Sequence, residues 1–347
     1  MRTNVVDSYK YAALVVSRVV ADGYLQMVKT IPQLYRYVYQ RAERATEVGP
    51  FRTWAHQFTA GNLRELMVRE RPDVVVCTHA FPCGAMAEYK NAYADAPPVV
   101  GIVTDFAVHA FWVHHNVDGY AVADESVRAA MIARGARPER ILASGIPIDA
   151  RFAPTLEPRR ALRERLSLPL DLPLVLMMGG GLGMAPLAKM LGALDDVGTP
   201  IGAVVVAGPD PRQERRILAA AEGVKYPVRV LRFVDNVYDY MHACDAFVTK
   251  PGGLSVAEAL AARIPMILCK PLPGQEERNA RFLIERGAAT DVQTLPELGE
   301  TLASVLGDSE RRKKMIAAAA SAGRPDAARD VAEFVLSLAR TRRENVA

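Results

Sequence analysis

The sequence predicts an α/β protein with two doubly wound domains in tandem. Short apolar runs alternate with helical patterns in both halves of the chain, which is typical of parallel sheets covered by helices. The 347 residues exceed one ordinary domain and suit two of about 150 to 180 residues each. Because α/β domains bind ligands beyond the carboxyl ends of their strands, two such domains would enclose a cleft.

The first 71 residues have a mostly helical pattern, with helices predicted over 8–21, 31–46 and 52–70. This segment carries 11 Lys and Arg against 6 Asp and Glu, and it holds six of the twelve tyrosines. Basic residues interleaved with tyrosines suit an anionic membrane surface. A helical hairpin with aromatic core positions and solvated arginines is the simpler explanation of this feature alone. No lysine-rich stripe or RNA-binding motif points to nucleic acid.

The strands follow from apolar runs bounded by turns. A helix over 125–134 completes the βα series of the first half, whose strands are predicted over 74–77, 98–103, 119–122 and 141–143. The second half is more regular, with strands predicted over 174–178, 201–207, 228–231, 245–248 and 265–269.

The alternation breaks at 145–149, and Pro154 and Pro158 follow closely. We therefore predict an N-terminal domain over 1–147 and a C-terminal domain over 148–325. A last helical run, about 326–345, is long enough to pack back on the first domain.

Composition excludes several classes of protein. Half of the residues are hydrophobic and 24% are charged, which fits a globular protein with full cores. No apolar run approaches the ~20 residues of a membrane-spanning helix, and the N-terminus lacks the pattern of a secretory signal. The four scattered cysteines are predicted to be small buried hydrophobes in a reducing cytoplasm: Cys77, Cys83, Cys244 and Cys269.

Three glycine-containing junctions between a strand and a helix occur in the second half. The first, MGGGLG at 178–183, lets backbone N–H groups approach a phosphate. It is no Walker loop, because no Gly-Lys-Ser/Thr follows. Pro186 stands where the dinucleotide fingerprint needs its third glycine, so a nicotinamide cofactor is disfavoured.

The second junction is KPGGLSVAEAL at 250–260. A helix starting near Leu254 would point the N–H groups of Gly253, Leu254 and Ser255 at an anion, and Glu258 could accept from two vicinal hydroxyls such as those of a ribose. A plain glycine hinge, with Ser255 and Glu258 as helix-capping residues, is the alternative.

The third junction, KPLPGQEERN at 270–279, offers donors and acceptors that sugar hydroxyls need. Gln275 and Asn279 share a helix face, and Glu276 lies beside them. Exposed helix polarity explains these residues equally well.

Together these blocks resemble glycosyltransferase family 28, in particular its processive diacylglycerol glucosyltransferases and monogalactosyldiacylglycerol synthases. The resemblance is carried by KPGGLSVAEAL, by IPMILCKPLPGQEERNARFLIERGAA, by VTDFAVHAFWVHHNVDGYAVADE at 102–125 and by GIPIDARF at 145–152. It runs from about residue 5 to about residue 290.

The resemblance implies the two-domain GT-B fold, with a UDP-sugar on the C-terminal domain and a lipid acceptor on the N-terminal one. Glu258 would bind the ribose, and Phe233 and Val234 would hold the uracil. The transferred sugar would meet Gln275, Glu276 and Asn279. The diphosphate would lie among Gly180, Gly181, Gly183, Pro251, Gly252, Gly253 and Ser255.

One departure concerns the start of the chain. Members of the family begin with a strand and a glycine-rich loop that carries a His near the reacting centre, whereas Thr3–Asp7 resembles the second strand. We expect that first strand and loop to be absent. The remaining candidates for the general base are Asp105, His109 and His79, which follow predicted strands.

The implied activity is inverting transfer of a hexose from UDP-glucose or UDP-galactose to a lipid hydroxyl, such as that of diacylglycerol, without a metal or other cofactor. Because the implied acceptor is a lipid, we expect the basic N-terminal helices to attach the protein to the inner, cytoplasmic face of the membrane. A polyprenyl-linked acceptor, or a UDP-sugar-binding protein with impaired catalysis, are the alternatives.

Overall fold

The computed structural model describes residues 2–11, 50–180, 185–195, 197–269, 271 and 274–346, without the side chains of 50–55 and 342–346. The chain forms two compact units. Residues 1–147, 272–275 and 327–347 form the first unit, and residues 148–271 and 276–326 form the second. The helices predicted over 8–21 and 31–46 lie outside the described residues, apart from a 3-10 turn at Ser8–Tyr11.

The first unit contains a parallel sheet with the strand order β1-β2-β3-β4. The predicted strands are confirmed in it: β1 Val75–Cys77, β2 Val99–Ile102, β3 Gly119–Ala121 and β4 Ile141–Leu142. The helices of this part are α1 Pro50–Glu70, α2 Ala80–Ala92 and α3 Glu125–Ile132. Strand β2 is buried along its whole length, as its unbroken apolar sequence predicts.

Residues 2–7 form no strand, contrary to the expectation for Thr3–Asp7. The Val5 side chain is 94% exposed, so it contributes no apolar burial to a sheet. The Asp7 carboxylate accepts from the backbone N–H of Tyr9 at 3.1 Å and starts the 3-10 turn. Asn62 of α1 then holds this turn by donating to the carbonyl of Tyr11 at 2.8 Å.

The last helix, α12 Ala327–Val346, belongs to the first unit. Val331 packs with Ile102 and Ala121 in one apolar cluster. Gly119 of β3 allows a closer approach, because a Cβ atom at this position would lie 2.6 Å from Cζ of Phe334. Strand β3 and helix α12 can therefore pack this closely only because residue 119 is a glycine.

The second unit contains a six-stranded parallel sheet with the order β10-β9-β8-β5-β6-β7. Its strands are β5 Leu174–Met178, β6 Gly202–Val206, β7 Val228–Leu231, β8 Ala246–Thr249, β9 Met266–Cys269 and β10 Ala289–Val292. Five of these were predicted. Strand β10 was missed because Thr290 and Asp291 interrupt its apolar pattern.

Eight helices are described in the second unit. They are α4 Arg159–Arg165, α5 Leu187–Ala193, α6 Pro211–Ala221, α7 Val237–Ala243, α8 Gly253–Ala262, α9 Gln275–Glu285, α10 Leu295–Gly307 and α11 Ser309–Ala322. All four cysteines of the chain are buried, as predicted. No helix in the described ranges is both long enough and apolar enough to cross a membrane.

Strands β5 and β8 are neighbours at the point where the strand order reverses. At their amino ends, the Asp245 carboxylate accepts from the backbone N–H of Leu174 at 2.8 Å and from the buried guanidinium of Arg163 at 2.7 Å. At their carboxyl ends, Thr249 Oγ1 donates to the carbonyl of Met178 at 3.1 Å. Connections leave this point in opposite directions, which opens a crevice in doubly wound sheets.

The variant Gly119→Ala tests the close approach of α12. We expect the added Cβ to displace the Phe334 ring and to lower the free energy of unfolding by about 1–3 kcal/mol, as overpacking does. Denaturant titration gives this number, and amide exchange over residues 327–341 should accelerate. The control is Gly61→Ala in α1, where an added Cβ meets nothing within 4 Å. Equal changes in unfolding free energy and in amide exchange for the two variants would contradict the close packing of Phe334 on Gly119.

Candidate functional site

Gly180 and Lys250 lie close together at the carboxyl ends of β5 and β8. Gly180 follows β5 with φ of +71°, a backbone conformation that favours glycine. Its missing side chain also makes room, because a Cβ there would lie 2.7 Å from Cε of Lys250. Two further residues predicted in this loop, Gly181 and Gly183, lie outside the described residues.

Helix α8 begins at the same edge of the sheet. Its N-cap is Gly252, and no side chain caps its first backbone N–H groups. Ser255 is the third helical residue, so the alternative in which Ser255 and Glu258 form a capping box is wrong. Uncapped N–H groups and the helix dipole favour an anion at this end.

The first turn of α9 holds the loop that precedes α8. The ammonium of Lys250 contacts Glu276 Oε1 at 2.7 Å, and the two side chains are only 11% and 12% exposed. Asn279, which is fully buried, donates from Nδ2 to the carbonyl of Pro251 at 3.0 Å. Gln275, the third residue predicted here, is the first residue of α9. The loop between β8 and α8 is thus fixed by an ion pair, Lys250–Glu276, and by a neutral hydrogen bond, Asn279–Pro251.

Glu258 has an unusual environment one turn into α8. Burial, with a smaller contribution from the negative charge of Asp149, raises the pKa of Glu258 to about 7. Asp149 itself is paired with Arg151 at 2.5 Å, and Arg151 stacks over the Tyr238 ring at 4.5 Å. The carboxyl group of Glu258 therefore loses its proton at a much higher pH than an ordinary glutamate.

Two predicted residues follow β7 at the same edge of the sheet. Phe233 is 68% exposed, which is unusual for an aromatic side chain, and Val234 is half-buried. An exposed ring is suited to stacking on a flat ligand such as a base.

The candidates for the general base lie in the first unit. His79 follows β1, whereas Asp105 and His109 follow β2. Since β1 and β2 are adjacent and parallel, these residues leave the sheet at one edge. His109 is buried against Phe111, with ring centroids 5.2 Å apart, and Asp105 is half-buried.

His79 is the N-cap of α2. Its Nδ1 atom accepts from the backbone N–H of Phe81 at 3.4 Å and lies 3.3 Å from the Tyr9 hydroxyl. Part of the His79 side chain is exposed to solvent. Protein atoms around the rest of the ring disfavour its charged form and thereby lower the pKa of His79. An accepting Nδ1 places the proton of the neutral ring on Nε2, so the ring can donate a hydrogen bond there.

Sequence reasoning missed the roles of Lys250, Thr249 and Asp149. Lys250 stood inside a quoted motif, directly after a strand, and that position was the available signal. Its partner Glu276 lies 26 positions further along the chain, and no local pattern links the two residues.

Comparison with solved structures identifies the fold. Acinetobacter baumannii MurG superposes with a TM-score of 0.61 at 19% identity, over 82% of this chain and 79% of that one. Anabaena Alr3699/HepE in complex with UDP-glucose gives a TM-score of 0.55 at 16% identity, over 83% and 84% of the two chains. The predicted GT-B fold is confirmed.

Sequence comparison is more specific. The family model for monogalactosyldiacylglycerol (MGDG) synthase matches residues 1–148, and that for glycosyl transferases group 1 matches residues 158–322. The processive diacylglycerol beta-glucosyltransferase of Bacillus cytotoxicus is 30% identical over 313 residues, which are 90% of this chain and 80% of the relative. The Bacillus subtilis enzyme of the same name is 31% identical over 311 residues, 88% and 79% of the two chains. The chain therefore belongs to the family of diacylglycerol glycosyltransferases.

Proposed function

We propose that the protein transfers a glucose or galactose residue from a UDP-sugar to the hydroxyl of diacylglycerol. The observation that carries this proposal is the uncapped start of α8 beside Glu258, at the switch point of the second unit. The N–H groups provide an anion site, and the carboxylate provides an acceptor for the two hydroxyls of a ribose. Membership of a family of diacylglycerol glycosyltransferases supports the same assignment.

Each part of the donor has a proposed partner. The diphosphate would lie against Gly180, Gly252 and the N–H groups of Gly253 and Ser255, next to the buried Pro251. The N–H of Gly252 itself donates to the carbonyl of Lys250 at 2.8 Å. The uracil would stack near Phe233, with backbone atoms of Val234 reading its edge.

The transferred sugar would meet α9. Gln275 and Glu276 supply donors and acceptors for its hydroxyls at the start of the helix. Asn279, which was predicted to touch the sugar, already donates to Pro251 and would support the loop rather than face solvent.

In the proposed mechanism, the acceptor oxygen attacks the anomeric carbon from the side opposite the diphosphate. The bond between that carbon and the phosphate oxygen breaks, and UDP leaves. The negative charge that develops on the leaving group is stabilised by the N-terminus of α8, so we expect no requirement for a metal or cofactor. A base must take the proton of the acceptor hydroxyl.

We assign the base to Asp105 or His109 in preference to His79. In His79 the Nδ1 atom already accepts from α2, and Nε2 carries the proton of the neutral ring. His79 would therefore donate a hydrogen bond to the acceptor or to an anion.

Since the acceptor is a lipid, we also propose that the protein works at the cytoplasmic face of the membrane as a peripheral protein. The basic, tyrosine-rich residues 1–71 would supply the attraction to anionic lipid. Nucleic acid is not an expected partner.

The reaction can be tested with radiolabelled UDP-glucose and UDP-galactose and with vesicles that contain diacylglycerol. We expect a hexosyl-diacylglycerol from at least one donor, with unchanged yield in EDTA. Product analysis identifies the sugar. Transfer only to a polyprenyl-linked acceptor would overturn the choice of lipid, and UDP-sugar binding without transfer to any lipid would indicate a catalytically impaired protein.

Glu258 should make donor binding depend on pH. Both phosphates of UDP-glucose are diesters and do not titrate between pH 6 and 8, whereas Glu258 loses its proton near pH 7. Since the ionised carboxylate is the better acceptor for ribose hydroxyls, we expect affinity to rise by up to about tenfold from pH 6 to pH 8. Glu258→Gln should flatten this profile, and Glu258→Ala should raise the dissociation constant. An unchanged profile in the Gln variant would contradict the assignment.

A ligand-free measurement checks the same pKa. The pKa of folded Glu258 is raised, so its contribution to stability is fully present below the ordinary pKa of 4.5 and is lost as the pH rises through about 7. Glu258→Gln should therefore lose less stability than the unaltered protein between pH 4.5 and pH 8. Thermal unfolding at both pH values gives the comparison.

Membrane attachment should weaken with salt. We expect the protein to bind vesicles with anionic lipid more tightly than neutral vesicles in a sedimentation assay. The triple variant Arg36→Gln/Arg41→Gln/Arg44→Gln should lose at least about tenfold in partitioning, since each charge near the surface contributes about 1 kcal/mol. The control changes three exposed arginines of α6, Arg212, Arg215 and Arg216, to Gln. Equal binding to neutral and anionic vesicles would count against the proposal.

A further inference from the structure

Lys250 is a largely buried cation at the carboxyl end of β8. Its side chain is 11% exposed, and its methylene groups run across the face of Gly180. An ammonium group carries three N–H donors. In the part of the chain that the structure describes, one of these donors meets Glu276 Oε1, and no other acceptor of Nζ is recorded. The remaining donors are therefore available to a ligand.

The position of Lys250 defines the chemistry of that ligand. It follows β8 at the switch point, and the Cβ position of Gly180 on the opposite loop is 2.7 Å from Cε of the lysine. The uncapped N-terminus of α8 begins three residues further along the chain. Two sources of positive potential thus lie close together in sequence at the end of β8 and the start of α8, which suits an anion with several oxygens.

Glu276 fixes the position of the Lys250 ammonium and uses only one of its three N–H donors. The ion pair of 2.7 Å fixes the position of Nζ, and the Asn279–Pro251 hydrogen bond fixes the backbone of the same loop. A preorganised cation needs little reorganisation when charge develops on a leaving group.

We propose that Lys250 is a catalytic residue whose ammonium donates hydrogen bonds to the diphosphate of the donor, with Glu276 as the counter-ion that holds it in place. This assignment rests on the proposed function, because it takes the crevice to be the UDP-sugar site. It adds a side-chain cation to a phosphate site otherwise built from backbone N–H groups.

The test compares UDP with uridine, which lacks the phosphates. At pH 8, Lys250→Met should weaken UDP binding by about 10- to 100-fold, the range for a hydrogen bond to a charged group, and should change uridine binding less than twofold. Lys250→Arg, which keeps the charge, should retain most of the UDP affinity. Calorimetry for UDP and saturation-transfer NMR for uridine provide the two constants.

Glu276→Gln is the matched control because it removes the other half of the pair. The amide oxygen of the glutamine can still accept from the ammonium of Lys250 and hold it in place, while the competing negative charge is lost, so UDP affinity should stay the same or increase. Opposite signs for Lys250→Met and Glu276→Gln are not expected from loss of structure, which would weaken both ligands in both variants. In the unaltered protein, added salt should weaken UDP binding and leave uridine binding unchanged.

Two results would overturn the inference while leaving the proposed function intact. One is unchanged UDP affinity in Lys250→Met, and the other is an equal loss of UDP and uridine affinity in that variant. If the unaltered protein binds neither nucleotide, the proposed function itself fails, and the assignment of Lys250 fails with it.

Discussion

The parallel pairing of β5 with β8 is the constraint on which the second unit depends. Each end of this pair is fixed by a side chain rather than by the sheet alone: Asp245 joins the amino ends, and Thr249 joins the carboxyl ends. Because the chain leaves the two strands in opposite directions, a doubly wound sheet is expected to form a crevice at their carboxyl ends. Gly180 after β5 and the start of α8 therefore lie at the same edge of the sheet as a direct result of strand order.

Much of this arrangement could be predicted from sequence because buried parallel strands are continuous apolar runs. Strand β8 has the sequence AFVT and is buried throughout. The end of this apolar run predicted where the strand ends and therefore where the following glycines lie. Strand β10 was not visible, because two polar residues interrupt it. The contact between Lys250 and Glu276 could not be predicted, since it depends on how β8 and β9 pair and on the direction in which α9 leaves the sheet.

Two carboxylates beside an anion site pose an electrostatic problem, and the structure handles each one differently. Glu276 keeps a cation at 2.7 Å, which cancels its repulsion toward a phosphate. Glu258 has a raised pKa, so part of its population is neutral near pH 7. Asp149, whose charge contributes to that shift, is itself paired with Arg151. Glu276 can therefore lie beside a diphosphate without excluding it, whereas Glu258 is expected to serve the ribose hydroxyls in its ionised form.

The same reasoning explains why a lysine and a glutamate lie buried at this point. Removing two charges from water costs several kcal/mol per ion, and replacing a buried pair by apolar residues is often neutral or stabilising. Asn279 already fixes the same loop with a neutral hydrogen bond, so stability alone does not account for the ion pair. Binding of an anionic ligand by the Lys250 ammonium does account for the ion pair. If Lys250 only supported the fold, an apolar side chain of similar size, such as methionine, would do so without the cost of burying a charge.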